Sequence, residues 1–129
     1  MKKLDKESVI GVSALLVHAA KIDEIYSDHE KDLVKDFIRS YLLDYDTNEI
    51  LKKAEELEMN SNQLLNYTNI IKNNSLEIKK DIIEHLWRVI ISDKTIDQYE
   101  SNLMRRICGL IYFPDKECAE IKLKLINKK

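Results

Sequence analysis

Two short stretches of this chain repeat one spacing of acidic residues. They cover residues 23–30 and 93–100, and a constant offset in numbering relates the two copies. The candidate ligands are Asp23 and Glu30 in the first copy and Asp93, Asp97 and Glu100 in the second. Carboxylates that converge at a tight turn between helices could bind a hard divalent cation such as Ca²⁺ or Mg²⁺. The pattern therefore predicts candidate metal-binding corners, with a spacing that differs from that of an EF-hand loop.

The same residues also fit ordinary helix capping. In each copy the fifth residue, Ser27 or Asp97, could cap the next helix, and the Glu three positions later could complete a capping box. The Asp at the first position would then be a turn residue that closes the preceding helix. Each carboxylate has two oxygens, so capping and metal binding do not exclude each other. Both interpretations stay open at this stage.

The elements around these corners are predicted to be helices. Apolar residues recur with a period of 3.6, no segment alternates with period two, and the chain has only 2 Gly and 1 Pro for turns. The predicted fold is all-α, with about seven helices in one domain of 129 residues. The predicted helix starts are at Ser8, Ser27, Asp46, Asn60 or Ser61, Ser75, Asp97 and after Pro114.

The repeat extends beyond the acidic residues. Apolar positions also match at the same offset, pairing Val12 with Ile82, Leu16 with Leu86, Leu33 with Leu103, Phe37 with Ile107 and Tyr41 with Ile111. We therefore predict two related helical halves, at about 8–45 and 75–113, followed by a C-terminal helix at about 115–127.

The distribution of charge limits the possible partners. The net charge is −2, but residues 22–58 hold 12 acids and 5 bases, and the lysines concentrate near the C-terminus. Nucleic-acid binding needs a basic face, so we do not expect it. The N-terminus is too charged for a signal peptide, and no apolar run reaches the ~20 residues of a transmembrane helix. A cytoplasmic location is the expectation.

The sequence does not favour an enzyme. It contains no Gly-x-Ser-x-Gly motif, no phosphate-binding Gly loop and no zinc-binding His pair. Cys108 and Cys118 have no metal-ligand spacing, and we expect them to be two buried free thiols. Trp87 is expected in the core or at an interface.

A longer run around the second corner resembles a known family. It consists of Leu86-Trp87-Arg88-Val89, Ser92-Asp93-Lys94-Thr95-Ile96-Asp97-Gln98-Tyr99-Glu100 and Leu103-Met104-Arg105-Arg106-Ile107. This is similar to the TerB-like tellurite-resistance family, in which a Leu-Trp helix leads into an acidic corner and then a Leu-(Ile/Met)-Arg-Arg helix. The first corner resembles its counterpart more loosely, and the resemblance covers roughly Val9 to Leu125.

The resemblance implies an all-helical domain with two related halves, associated with stress response. It also implies that the acids of the corners bind a divalent cation. A similar domain in a DnaJ-like membrane co-chaperone makes a membrane-associated protein one candidate partner. This chain departs from the family where Glu24 and Lys94 replace corner glycines and where Ser27 replaces Asp. The first corner is therefore expected to be the poorer metal site.

The carboxylates of the corners should repel an oxyanion such as tellurite. An indirect role in resistance, through cation binding or protein partners, is the resulting prediction. The alternative is a purely structural interaction domain whose acidic corners only cap helices.

Overall fold

The computed structural model describes residues 4–21, 26–60, 65–91 and 98–127. Within these ranges it contains seven α-helices and no strand, which confirms the all-α prediction. The helices are α1 (Lys6–Ala20), α2 (Asp28–Tyr41), α3 (Thr47–Met59), α4 (Leu65–Lys72), α5 (Leu76–Ile91), α6 (Gln98–Leu110) and α7 (Asp115–Asn127). None of these helices is both long and apolar enough to cross a membrane.

Several helix starts follow the predicted caps. Ser27 and Glu30 form a complete capping box at α2. Asp46 caps α3 by accepting a 3.0 Å hydrogen bond from the Asn48 N–H, and the Ser75 hydroxyl accepts one of 3.3 Å from the Ile78 N–H. These contacts span two or three residues, so the local sequence is enough to specify them.

One predicted helix start is wrong, and one of the two alternatives for another is excluded. The cap of α1 is Asp5 rather than Ser8, because the Asp5 carboxylate accepts a 2.7 Å hydrogen bond from the Ser8 N–H and the helix begins one turn earlier. Asn60 ends α3 instead of opening α4, since its N–H bonds to the carbonyls of the last turn of α3. Ser61, the other predicted start, lies outside the described residues.

Helix α1 lies at the centre of the packing. It contacts α2, α3, α4 and α5, and residues on all its sides are buried, as expected for a helix that other helices surround. At Gly11 the side chain of Ile70 approaches so closely that a Cβ would overlap its Cδ1 atom. The glycine therefore permits the close contact between α1 and α4.

Helices α5, α6 and α7 complete the core. Helix α5 packs against α1, α2 and α7, and α6 packs against α4 and α7. Trp87 is buried, as predicted. The largest fully buried side chains are Leu15, Leu16, Phe37, Ile38, Ile50, Ile71, Ile82, Ile83, Leu86, Ile90, Met104 and Ile107.

The helix bounds are compatible with two related halves. The offset between the starts of α1 and α5 equals the offset between the starts of α2 and α6, and it is also the offset between the two acidic corners. Helix α3 packs on α1, and α7 packs on α5. The last helix occupies the predicted residues 115–127. Shared bounds do not establish a duplication, and the repeat stays a prediction.

Candidate functional site: the acidic corners

The first acidic corner joins α1 to α2. The Glu30 carboxylate accepts a 2.9 Å hydrogen bond from the Ser27 N–H, and the Glu30 N–H donates one of 3.2 Å to the Ser27 hydroxyl. Glu30 is only 1% exposed. Of the two ligands predicted here, Glu30 is thus a buried carboxylate engaged in a helix cap, while Asp23 lies outside the described residues.

Carboxylates from α3 reach the same corner. The Tyr26 hydroxyl donates a 2.6 Å hydrogen bond to Glu55, and the Lys21 ammonium donates one of 2.8 Å to Glu58. The His18 ring nitrogen lies 3.4 Å from the second oxygen of Glu58. The C-terminal half of α3 therefore closes the corner between α1 and α2.

The environment of the first corner raises the pKa of Tyr26. Burial raises the pKa of its hydroxyl above the usual value, and the hydrogen bond to Glu55 and the charges of Glu55, Glu30 and Glu58 raise it further. Each effect disfavours the phenolate. Carboxylates from two helices therefore surround one tyrosine.

Two lysines lie over the Tyr26 ring at this corner. The ammonium groups of Lys21 and Lys31 lie 5.8 and 5.1 Å from the centre of the Tyr26 ring. Lys21 also forms the ion pair with Glu58. The described part of the first corner thus contains its own cations beside its carboxylates.

Sequence reasoning missed Glu55 and Glu58. The sequence feature that could have identified them is the acidic run at the end of α3. There the two residues are three positions apart and therefore share a helix face. Their distance along the chain from Tyr26 and Lys21 gave no indication that they meet. The packing of α3 on α1 brings them together.

The second acidic corner is described only in part. Helix α5 ends at Ile91 and α6 begins at Gln98, directly after the predicted cap Asp97. Glu100 lies in the first turn of α6, but its side chain is outside the described part of the structure, as are Asp93 and Asp97. The convergence of these three carboxylates stays a prediction.

Metal binding likewise stays a prediction at both corners. Within the described ranges, no group of three or more His, Cys, Asp or Glu residues is arranged to hold an ion.

A second polar cluster joins α2 to α5. The Tyr41 hydroxyl donates a 2.7 Å hydrogen bond to Asp81, and the His85 Nδ1 atom lies 2.9 Å from the Asp81 carbonyl oxygen. His85 also meets the Phe37 ring edge-on at 5.2 Å. The backbone contact and the aromatic neighbour fix the histidine within the interface of α2 and α5, which indicates a packing role.

A groove lies between α5, α6 and α7. Its volume is about 550 Å³, and its lining includes Trp87, Arg105, Cys118 and Lys122. Both cysteines are buried and free, as predicted from the sequence. Sequence reasoning did not predict that one of them faces a groove.

Comparison with known proteins agrees with this architecture. The family model described as Tellurite resistance protein TerB matches residues 9–123, which includes both corners and all or part of each helix. No curated protein and no solved structure matches the chain. Because the match extends over most of the sequence, the chain belongs to the TerB tellurite-resistance family.

Proposed function

We propose that this TerB-family domain is a non-enzymatic cytoplasmic module of the bacterial stress response. It acts through a protein partner and binds a divalent cation at the second acidic corner. The role in tellurite resistance is indirect, because clustered carboxylates repel an oxyanion. Membership of the TerB family supports a role in tellurite resistance, and the charges at the two corners support the binding of a cation.

The observation that carries the cation proposal is a difference between the corners. At the first corner, Lys21 forms an ion pair with Glu58, and the ammonium of Lys31 lies over the Tyr26 ring. The corresponding positions of the second copy are occupied by Ile91 and Ser101. If the second corner has the same geometry, its carboxylates lack these two counterions. An external cation would then offset their mutual repulsion.

The test is calorimetric titration with Ca²⁺, Mg²⁺, Mn²⁺ and Zn²⁺. The test variant carries Asp93→Asn and Asp97→Asn, and the matched control carries Asp44→Asn and Asp46→Asn. Both pairs change the charge equally, and Asn preserves helix capping at Asp46 and at the predicted cap Asp97. We expect binding by the wild type and the control and no binding by the corner variant. No heat from the wild type, or equal loss in the control, would contradict the proposal.

The surface of α2 and α3 supports a basic protein partner. In residues 28–58, seven exposed residues are acidic and three are basic, and the exposed acids are Asp28, Asp32, Asp36, Asp44, Asp46, Glu49 and Glu56. Such a surface attracts a basic partner and makes association sensitive to salt. A membrane-associated protein with a basic segment fits this description.

The partner proposal is tested with tagged protein purified from its native cells. Glu56→Lys reverses one exposed charge on α3, and Glu120→Lys makes the same change on α7. We expect a co-purifying protein that is lost with Glu56→Lys, retained with Glu120→Lys and released by high salt. Equal retention by both variants would exclude the acidic surface as the binding site.

The second candidate function is a structural interaction domain whose acidic corners only cap helices. The complete Ser27–Glu30 capping box and the lysines beside it favour this interpretation at the first corner. It predicts that Asp97→Ala costs about 1 kcal/mol of stability and leaves partner binding unchanged. It also predicts no change in melting temperature on addition of metal. A thermal shift with metal would favour the cation proposal, because a ligand selective for the folded state stabilises it.

A further inference from the structure

The two cysteines meet where α6 turns into α7. Cys108 lies in the last turn of α6 and Cys118 in the first turn of α7. The connection is tight: Tyr112 has φ 60°, and the Phe113 N–H donates a 2.8 Å hydrogen bond to the Cys108 carbonyl. Interaction between the two thiols raises the pKa of Cys108. The turn thus places the two thiols near each other.

The two sulfurs have different surroundings. The Trp87 indole N–H donates a hydrogen bond of 3.3 Å to the Cys118 sulfur. Lys122 lies one helical turn after Cys118, and its ammonium is 5.3 Å from the centre of the Trp87 ring. Interaction with the Cys108 thiol lowers the pKa of Cys118, and Trp87 and Lys122 lower it further, whereas burial and Asp115 oppose them. Cys118 is therefore the sulfur that more readily becomes a thiolate.

Access to solvent is also unequal. Cys118 lines the groove of about 550 Å³, whose edge carries Arg105 and Lys122 as well as Asp115. Cys108 is completely buried and is not part of the groove lining. A small oxidant in the groove can thus reach Cys118, while Cys108 reacts only through Cys118.

We propose that Cys118 and Cys108 form a peroxide-reactive dithiol, in which Cys118 is oxidised first and Cys108 resolves it to an intramolecular disulfide. The Cys118 thiolate attacks one oxygen of hydrogen peroxide, so an S–O bond forms and the O–O bond breaks. The leaving hydroxide takes a proton and becomes water. The Cys108 sulfur then attacks the Cys118 sulfur, an S–S bond replaces the S–O bond, and a second water leaves. Two thiols thereby supply the two electrons that reduce the peroxide.

The disulfide would change the groove. It would join the end of α6 to the start of α7. It would also change the position of the Cys118 sulfur, which accepts the hydrogen bond from Trp87. Trp87 is the only tryptophan of the chain. Its fluorescence should therefore change on oxidation and recover on reduction. This proposal does not depend on cation binding at the corners, so either can fail alone.

The direct test is peptide mapping of the oxidised wild-type protein. Trypsin cleaves after Arg106, Lys116 and Lys122, which places Cys108 in peptide 107–116 and Cys118 in peptide 117–122. After treatment with hydrogen peroxide and alkylation of the remaining thiols, we expect these peptides to be linked by a disulfide within one chain. Two alkylated cysteines, or only disulfides between chains, would overturn the proposal.

Two variants test the order of the steps. In Cys108→Ser the reaction should stop at a sulfenic acid on Cys118, which dimedone traps. In Cys118→Ser, Cys108 should lose its reactivity with peroxide. Circular dichroism checks the fold of each variant, and Trp87→Phe in an otherwise intact chain should slow disulfide formation. Equal oxidation of Cys108 with and without Cys118 would contradict the assigned order.

Discussion

The hydroxyl of Tyr41, the last residue of α2, donates a 2.7 Å hydrogen bond to the carboxylate of Asp81 on α5. The Tyr41 ring packs on Phe37 with centroids 5.1 Å apart. Burial raises the pKa of Tyr41, and the hydrogen bond and the negative charges of Asp81 and Glu77 raise it further. This contact connects the two predicted halves at the edge of the core.

Removing that hydroxyl should weaken the domain. Tyr41→Phe keeps the ring but loses a hydrogen bond to a charged acceptor, so we expect the free energy of unfolding to fall by about 1–2 kcal/mol. Urea denaturation measures the change. Tyr112→Phe is the control, because Tyr112 is 68% exposed and the change should stay within about 0.5 kcal/mol. Equal effects of the two substitutions would contradict the role given to Asp81.

Alkaline pH should destabilise the fold through Tyr26 and Tyr41. Both have pKa values raised above the ordinary tyrosine value of 10.0 in the folded state. Below the ordinary tyrosine pKa, both residues are protonated in the folded and in the unfolded chain. Above it, the unfolded chain loses these protons more easily than the folded chain, so the free energy of unfolding falls as the pH rises. Urea midpoints measured from neutral to strongly alkaline pH should show this fall. A double change to Phe should reduce the slope, and an unchanged slope would count against these two residues.

The capping box at α2 should be worth about 1 kcal/mol. Ser27→Ala removes the hydroxyl that accepts the Glu30 N–H, and it also removes a donor to the buried Glu30 carboxylate. Thermal and urea unfolding measure the loss. Ser27→Thr keeps a hydroxyl and should change stability by only a small part of that amount. If Thr proved as destabilising as Ala, the hydroxyl would not be the cause.

The two glycines should respond differently to Ala. Gly109 lies in α6 with open space around its missing side chain, so Gly109→Ala should stabilise by roughly 0.5–1 kcal/mol through helix propensity. Gly11→Ala should gain the same stability from helix propensity, but the added Cβ would displace the Ile70 side chain. We expect it to gain less than Gly109→Ala or to destabilise. Differential scanning calorimetry of both variants compares them, and a larger gain at Gly11 would contradict the close packing of α1 and α4.

Local sequence was sufficient for much of the fold. The caps at Ser27, Asp46 and Ser75 depend on contacts with residues two or three positions away, and these were predicted correctly. The start of α1 was misplaced because Asp5 and Ser8 are both good caps one turn apart. The periodicity of apolar residues also identified the core positions on α5, such as Leu86.

The sequence by itself determined the helices and the caps at Ser27, Asp46 and Ser75, because helix formation and capping depend on neighbouring residues. Only the tertiary structure decided which side chains meet across helices: Tyr26 with Glu55, Tyr41 with Asp81, and Cys118 with Trp87. These pairs are 29 to 40 residues apart along the chain. Their proximity results from the packing of whole helix faces, to which many apolar residues contribute and which no short motif encodes.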